Sequence, residues 1–211
     1  MIITKILRSR KLRGGYAIYI DEVFAFDVGE SVLMKFGLQP GNRIDEKTVE
    51  QLSSAEALDR AQKIAVNFIS YRPRSLREVV NKLVSKGFSS ELSNRVAGHL
   101  QAVNLLNDLE FARMFVRDKL RGKPIGKAMM RRKLIEKGIA PHTIERVIRE
   151  TISEEDEQQA ALKLLERKLR RADHRFAKLD APRRRKRLLD YLLRRGFSSD
   201  VAVKTVRNAS V

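Results

Sequence analysis

The side chains in this sequence best suited to chemistry are basic and come in four runs. They are Arg72-Pro73-Arg74 with Arg77, Arg131-Arg132-Lys133, Arg167-Lys168 with Arg170-Arg171, and Arg183-Arg184-Arg185-Lys186-Arg187. The chemistry they offer is ionic, not covalent. Guanidinium and ammonium groups spaced along a surface hold phosphates or carboxylates without reading a base sequence. Arg72, Arg74, Arg77 and Lys82 form the first candidate set. Arg131, Arg132 and Lys133 form the second, and Arg183, Arg184, Arg185, Lys186 and Arg187 the third. Each is expected to act as a phosphate or carboxylate contact.

Nothing comparable supports catalysis. The chain has no cysteine, which removes thiolate nucleophiles, disulfides and cysteine-based zinc sites. His99, His142 and His174 are far apart and fit no ligand spacing. Gly14-Gly15 lacks the Gly-Lys-Ser/Thr that completes a phosphate-cradling loop. Glu154-Glu155-Asp156-Glu157 is the one acidic cluster, and it falls where carboxylates meet the positive end of a helix. The expectation is a non-enzyme with no cofactor and no metal.

The charge balance points to a polyanionic partner. Lys and Arg number 44 against 26 Asp and Glu, a net of +18. Residues 1–54 carry only +1, whereas residues 55–107, 108–153 and 154–211 carry +4, +6 and +7. So large an excess costs self-repulsion unless a partner relieves it. Nucleic acid ranks first and an acidic protein surface second. No apolar run approaches the ~20 residues that cross a bilayer. The N-terminus also lacks a signal peptide's apolar region, so a cytoplasmic location with no membrane partner is expected.

The elements that must position these charges fall into two classes. In residues 1–54, Ile2 to Leu7, Tyr16 to Ile20 and Val23 to Val28 read as strands, the last with Phe24, Phe26 and Val28 alternating. Asp21-Glu22 is the loop between the second and third; it lacks glycine, so its turn type stays open. Ser31 is placed to cap a short helix that Gly37 ends, and Asp45 to cap one running through Leu52. This is a small β-meander with short helices.

From residue 55 on the signal is helical and repeats. Gly87, Gly138 and Gly196 each follow an aliphatic pair and a basic residue, at spacings of 51 and 58. A proline precedes each glycine by 14 residues, at Pro73, Pro124 and Pro182. Proline suits a helix's first turn and glycine the left-handed position after its last. Each repeat therefore reads as three helices: about 55–70, 74–86 and 89–104; 108–121, 125–137 and 141–153; 154–172, 182–195 and 198–209. In the first middle helix, Leu76, Val79, Val80, Leu83 and Val84 form an apolar face. Seven extra residues in the third repeat belong to its first helix or to the 171–180 connection. The expected fold is mainly α: three tandem three-helix units (55–107, 108–153, 154–211) in an elongated, curved array, behind a β-rich N-terminal domain (1–54).

Aromatics are 6% of the chain, and Phe88, Phe111, Phe115 and Phe197 read as core, so base stacking contributes little to this picture. One reading is a stand-alone, sequence-independent DNA-binding protein. A helix-turn-helix use of each unit would need Asn, Gln or Arg aimed at base edges; Glu91-Leu92-Ser93-Asn94-Arg95 in the first unit meets this weakly, and Asp200-Val201-Ala202-Val203-Lys204 in the third does not.

The other reading comes from a resemblance. The three Lys/Arg-Gly-Phe/Ile motifs, Tyr71-Arg72-Pro73-Arg74-Ser75-Leu76-Arg77-Glu78, Leu106-Asn107-Asp108-Leu109-Glu110-Phe111-Ala112, Tyr16-Ala17-Ile18-Tyr19-Ile20-Asp21 and Phe24-Ala25-Phe26 together resemble the RecX family. The likeness covers the whole chain. It implies tandem three-helix units in a bacterial cytosolic protein that modulates RecA. Such a protein is expected to lie in the groove of the RecA–single-stranded DNA filament, slow its ATPase and strand exchange, and block its growth. The resemblance brings no catalytic residues; a monomer contacting RecA and single- or double-stranded DNA is expected.

Overall fold

The computed structural model describes residues 1–170, 176 and 179–209. Arg171, His174 and most of the 171–180 connection lie outside them. The chain divides into two compact units. The first comprises Met1–Pro73 with Val79–Leu105, the second Arg74–Glu78 with Leu106–Val211.

The first unit opens with β1 (Ile3–Arg8), β2 (Gly15–Ile20) and β3 (Val23–Gly29), an antiparallel meander in that spatial order. Ile20 pairs with Val23, so Asp21 and Glu22 alone make the turn. Both have positive φ, 47° and 69°, as a type I′ turn demands. The open turn type is thus settled, and without glycine. Asp21 Oδ1 accepts from the Ile2 amide, and Thr4 Oγ1 accepts from the Glu22 amide, which offsets the strain. Left-handed backbone still costs a non-glycine residue about 1–2 kcal/mol. Glu22→Gly is expected to raise the stability of this unit by roughly 0.5–1 kcal/mol, read as a higher denaturation midpoint. It does so despite losing the exposed ion pair to Lys5.

Phe24 departs from the expected alternation. A bulge between the Ile18–Phe26 and Tyr19–Phe24 pairs inserts Ala25 and shifts the register of the strand's first half. Phe26 and Val28 join the core, while Phe24 is 44% exposed and meets Tyr19 edge to face. Ser31 does not cap α1 (Glu30–Lys35); Gly29 holds that position, and Ser31 donates to Asp59 instead. The two helices expected at 45–52 and 55–70 are one, α2 (Glu46–Ser70), capped by Asp45. No glycine or proline interrupts it. Its buried Glu56 accepts from the Gly29 amide at 2.7 Å, tying the middle of the helix to the end of the sheet.

α3 (Leu76–Val84) and α4 (Ser90–Ala102) follow. Val79 and Leu83 are buried, but Val84 is 42% exposed, one 100° step past the buried line. The second unit contains α5 (Asp108–Arg121), α6 (Lys127–Glu136), α7 (Pro141–Thr151), α8 (Glu154–Arg170), α9 (Ala181–Arg194) and α10 (Ser199–Asn208). The fold is mainly helical: a three-stranded sheet, then three groups of three helices. Two cores hold the second unit, one around Phe111, Met130, Leu134 and Val147, the other around Ala161, Leu165, Leu188 and Leu192.

The repeat grammar is visible at each helix end. Gly87, Gly138 and Gly196 sit at φ 89°, 82° and 83° after the middle helices. Ser89 and Ser198 cap the last ones. The prolines divide: Pro182 lies in the first turn of α9, while Pro73 and Pro124 stand ahead of α3 and α6. At α3, Ser75 and Glu78 exchange side-chain-to-amide bonds, a capping box that displaces the proline outward. α8 is described over 17 residues against 14 in α5; its expected end at 172 lies outside the described residues.

Candidate nucleic-acid interface

A run of consecutive cations on a helix cannot share one face, because successive side chains step by about 100°. α9 illustrates this. Leu188 and Leu192 fix its buried side, and Arg184, one turn before Leu188, follows them inward with its Nε buried. Arg183, Arg185, Lys186 and Arg187 stay exposed. Arg183, Lys186 and Arg187 lie at i, i+3 and i+4, so they form one stripe, and Arg185 stands apart from it. The Arg183 guanidinium is loosely held by Asp180, at 3.6 Å.

The α6 run also divides. Arg131 makes a two-pronged pair with Glu145, at 2.7 and 2.9 Å. That bond raises the Arg131 pKa and lowers that of Glu145. Arg131 therefore enters any phosphate contact already neutralised. Arg132 is exposed, 3.7 Å from Glu136, and Lys133 is half-buried beside the Leu134 core position.

The first candidate set is split between the two units. Within the first unit, Arg72 is exposed and donates to the Pro73 carbonyl, and the Lys82 ammonium lies 5.5 Å from the Phe68 ring centre. Within the second unit, Arg74 is half-buried. The Arg77 stem covers Gly138 so closely that a Cβ there would lie 2.5 Å from Arg77 Cδ. Around it, Ser75 Oγ donates to the Lys137 carbonyl at 2.7 Å, Lys137 pairs with Glu78, and Asp108 accepts from the Leu76 amide. Burial pushes the Asp108 carboxyl upward, against that hydrogen bond. Arg77 is thus a packing residue as much as a surface charge.

The run Arg167-Lys168 with Arg170 lies beside a concavity not foreseen from spacing alone. Arg167 and Arg195 donate to the carbonyls of Gly122 and Pro124, and Lys163 to that of Arg121. These bonds fold the end of α5 against α8 and α9. A cleft of about 790 Å³ opens there, lined by Lys123, Leu164, Arg167, Lys168, Arg170, Tyr191 and Arg195. Lys123, Tyr191 and Arg195 belong to no run, and only the fold brings them to Arg167, Lys168 and Arg170.

Glu157, in the acidic cluster, is buried and pairs with Lys127 at 2.9 Å, so it is a structural anion of α8's first turn. Among the described residues no group of three His, Asp or Glu is arranged to hold a metal. No helix of the described residues is long and apolar enough to cross a membrane.

The strongest titration effect is structural. Glu150 accepts from Arg113 and Arg146, which hold its pKa down to about 2. A carboxylate lowered in the folded state stabilises above its unfolded pKa near 4.3, and that stabilisation disappears as pH falls toward 2. Glu150→Gln is expected to flatten the loss of stability between those pH values. Denaturation midpoints measured across that range check it, with a smaller difference in high salt because the group is exposed.

Four family models match along the chain. Residues 1–45 match "Regulatory protein RecX N-terminal domain". Residues 61–100, 107–148 and 154–205 match the RecX first, second and third three-helix domains. A relative from Lactobacillus johnsonii, named "Regulatory protein RecX", is 32% identical over 95% of this chain and 72% of its own length. One from Lactobacillus gasseri with the same name is 36% identical over 73% of this chain; the match spans 56% of that relative. A structure described as "Crystal structure of regulatory protein RecX" superposes with a TM-score of 0.76, at 28% identity, covering 98% of both chains.

Proposed function

Since the chain belongs to the RecX family of regulatory proteins, we propose that it binds the RecA–single-stranded DNA filament in the cytoplasm and slows ATP hydrolysis, filament growth and strand exchange. The observation that carries this reading is an unbalanced charge on the helical units, set on helices that offer it to solvent. Arg183, Arg185, Lys186 and Arg187 are exposed, and Arg132 is only loosely paired. Such a surface suits a filament that presents DNA phosphates along its length. Arg72, Arg74, Arg77, Lys82 and Lys133 add to it, Arg184 and Arg131 less so. No nucleophile, base or metal is required. Regulation follows if the protein binds one filament state more tightly than another; equal affinity for both would shift nothing.

The test is RecA's ATPase on single-stranded DNA. The wild-type protein is expected to slow hydrolysis in a saturable way. A variant with Arg183, Arg185, Lys186 and Arg187 all changed to Gln should need more than about tenfold higher concentration, because each phosphate contact contributes about one unit to the salt exponent. An ATPase rate unchanged at saturating wild-type protein would refute the reading. DNA binding without any effect on RecA would favour the stand-alone DNA-binding alternative.

A further inference from the structure

We propose that the cleft between the end of α5, the second half of α8 and α9 is a single-strand site, holding phosphodiesters on Lys123, Lys168 and Arg170 and one base on Tyr191. This rests on the function proposed above and assigns it a place. Among the described residues the cleft's lining contains five cations, one aromatic and no carboxylate. Two of the cations are already used: Arg167 and Arg195 are tied to the Gly122 and Pro124 carbonyls. Their bonds fix the walls. Lys123 and Arg170 have no ion-pair partner among the described residues, and Lys168 meets only the Tyr191 ring, 5.8 Å from its centre. A concavity whose described lining holds unspent cations and no counter-ion calls for an anion carrying more than one charge.

Tyr191 narrows the choice of anion. It is half-buried, its body packed on the Leu165–Leu188–Leu192 core, and it reaches the cleft wall. An aromatic that packs on the core and also lines a cleft, with a lysine ammonium beside its ring, offers a stacking platform, and every base has a face to stack. Duplex bases are already stacked and face inward, so the geometry favours a single strand. The cleft's volume is also right for one or two nucleotides rather than a duplex.

The test compares binding of a labelled oligothymidylate with that of an abasic strand of equal length, using the full chain at fixed salt. Tyr191→Leu is expected to weaken the oligothymidylate roughly 5- to 100-fold while leaving the abasic strand unchanged; Tyr191→Phe should retain both. The surface variant Lys123→Gln/Lys168→Gln/Arg170→Gln leaves the core intact. It should weaken both strands and lower the single-strand salt exponent by about two. An equal loss on both strands for Tyr191→Leu makes that residue packing only and overturns the proposal, as does wild-type affinity in the triple variant. If the wild-type protein binds neither strand, the phosphate-contact reading itself falls. If it binds both and the cleft variants match it, only the cleft assignment falls.

Discussion

Gly126→Ala is expected to destabilise the second unit by about 3–5 kcal/mol, more than most single substitutions and as much as a large core truncation. The residue's own backbone is not the reason, since φ is −74° and ψ 167°, open to any side chain. Space is. A Cβ at Gly126 would lie 2.1 Å from the carbonyl carbon and oxygen of Gly196 and from the Phe197 nitrogen. None of these is a side-chain tip able to swing away. Separating the two segments would also break the bonds from the Gly126 amide to the Arg195 carbonyl and from the Ala128 amide to the Gly196 carbonyl, each worth about 1 kcal/mol net. Gly196 is constrained from the other side: its φ is 83°, and a Cβ there would sit 2.4 Å from the Met129 nitrogen. The control is Gly98→Ala in α4, where a Cβ meets nothing within 4 Å. That change should stabilise by roughly 0.5–1 kcal/mol. Urea unfolding of the three proteins, with hydrogen exchange at the Gly126 and Ala128 amides, checks both expectations.

This joint is built twice within the second unit. Ser75 and Gly126 are 51 residues apart, and Lys137 and Arg195 are 58 apart, the spacings of the glycine repeat itself. In one case the Ser75 hydroxyl donates to the Lys137 carbonyl; in the other the Gly126 amide donates to the Arg195 carbonyl. The carbonyl just before Gly138 and that just before Gly196 thus each receive a bond from the start of a preceding middle helix. The glycine both ends its helix and lets another segment approach.

The termination role of those glycines was legible in the sequence, because it follows from local backbone rules. The approach role was not, because it depends on which segment arrives. The same boundary separates what else could be read. Helix limits from α4 to α10 are local statements about caps and apolar spacing, and Asn107, Ser89 and Ser198 perform as their types suggest. The continuity of α2 through Ser53-Ser54 depends on Glu56 reaching the sheet, and the exposure of Phe24 on a bulge opposite β2; both are tertiary. At the candidate interface, the cation types were plain from the sequence. Their division was not: Arg131 is spent on Glu145, Arg184 turns inward, and Lys123 and Tyr191 reach Arg167, Lys168 and Arg170 only through the fold.

The larger functional effect expected of this protein is the salt dependence of its DNA binding. If exposed cations such as Arg132, Arg183, Lys186 and Arg187 are phosphate contacts, binding releases the counterions condensed on DNA, and affinity must fall as a power of salt concentration. With six to ten contacts on duplex DNA, the loss between about 50 and 200 mM salt is roughly 10³–10⁵-fold. Base identity should matter little, since phosphate contacts position without specifying. Arg131→Gln should change the exponent less than Arg132→Gln, because its charge is already matched by Glu145. Titrating a labelled DNA with this protein across that salt range measures the exponent directly. A steep, sequence-independent linear fall in log affinity with log salt is the expected result, and a nearly flat line would contradict the claim that charge spread over the helical units is what this protein binds with.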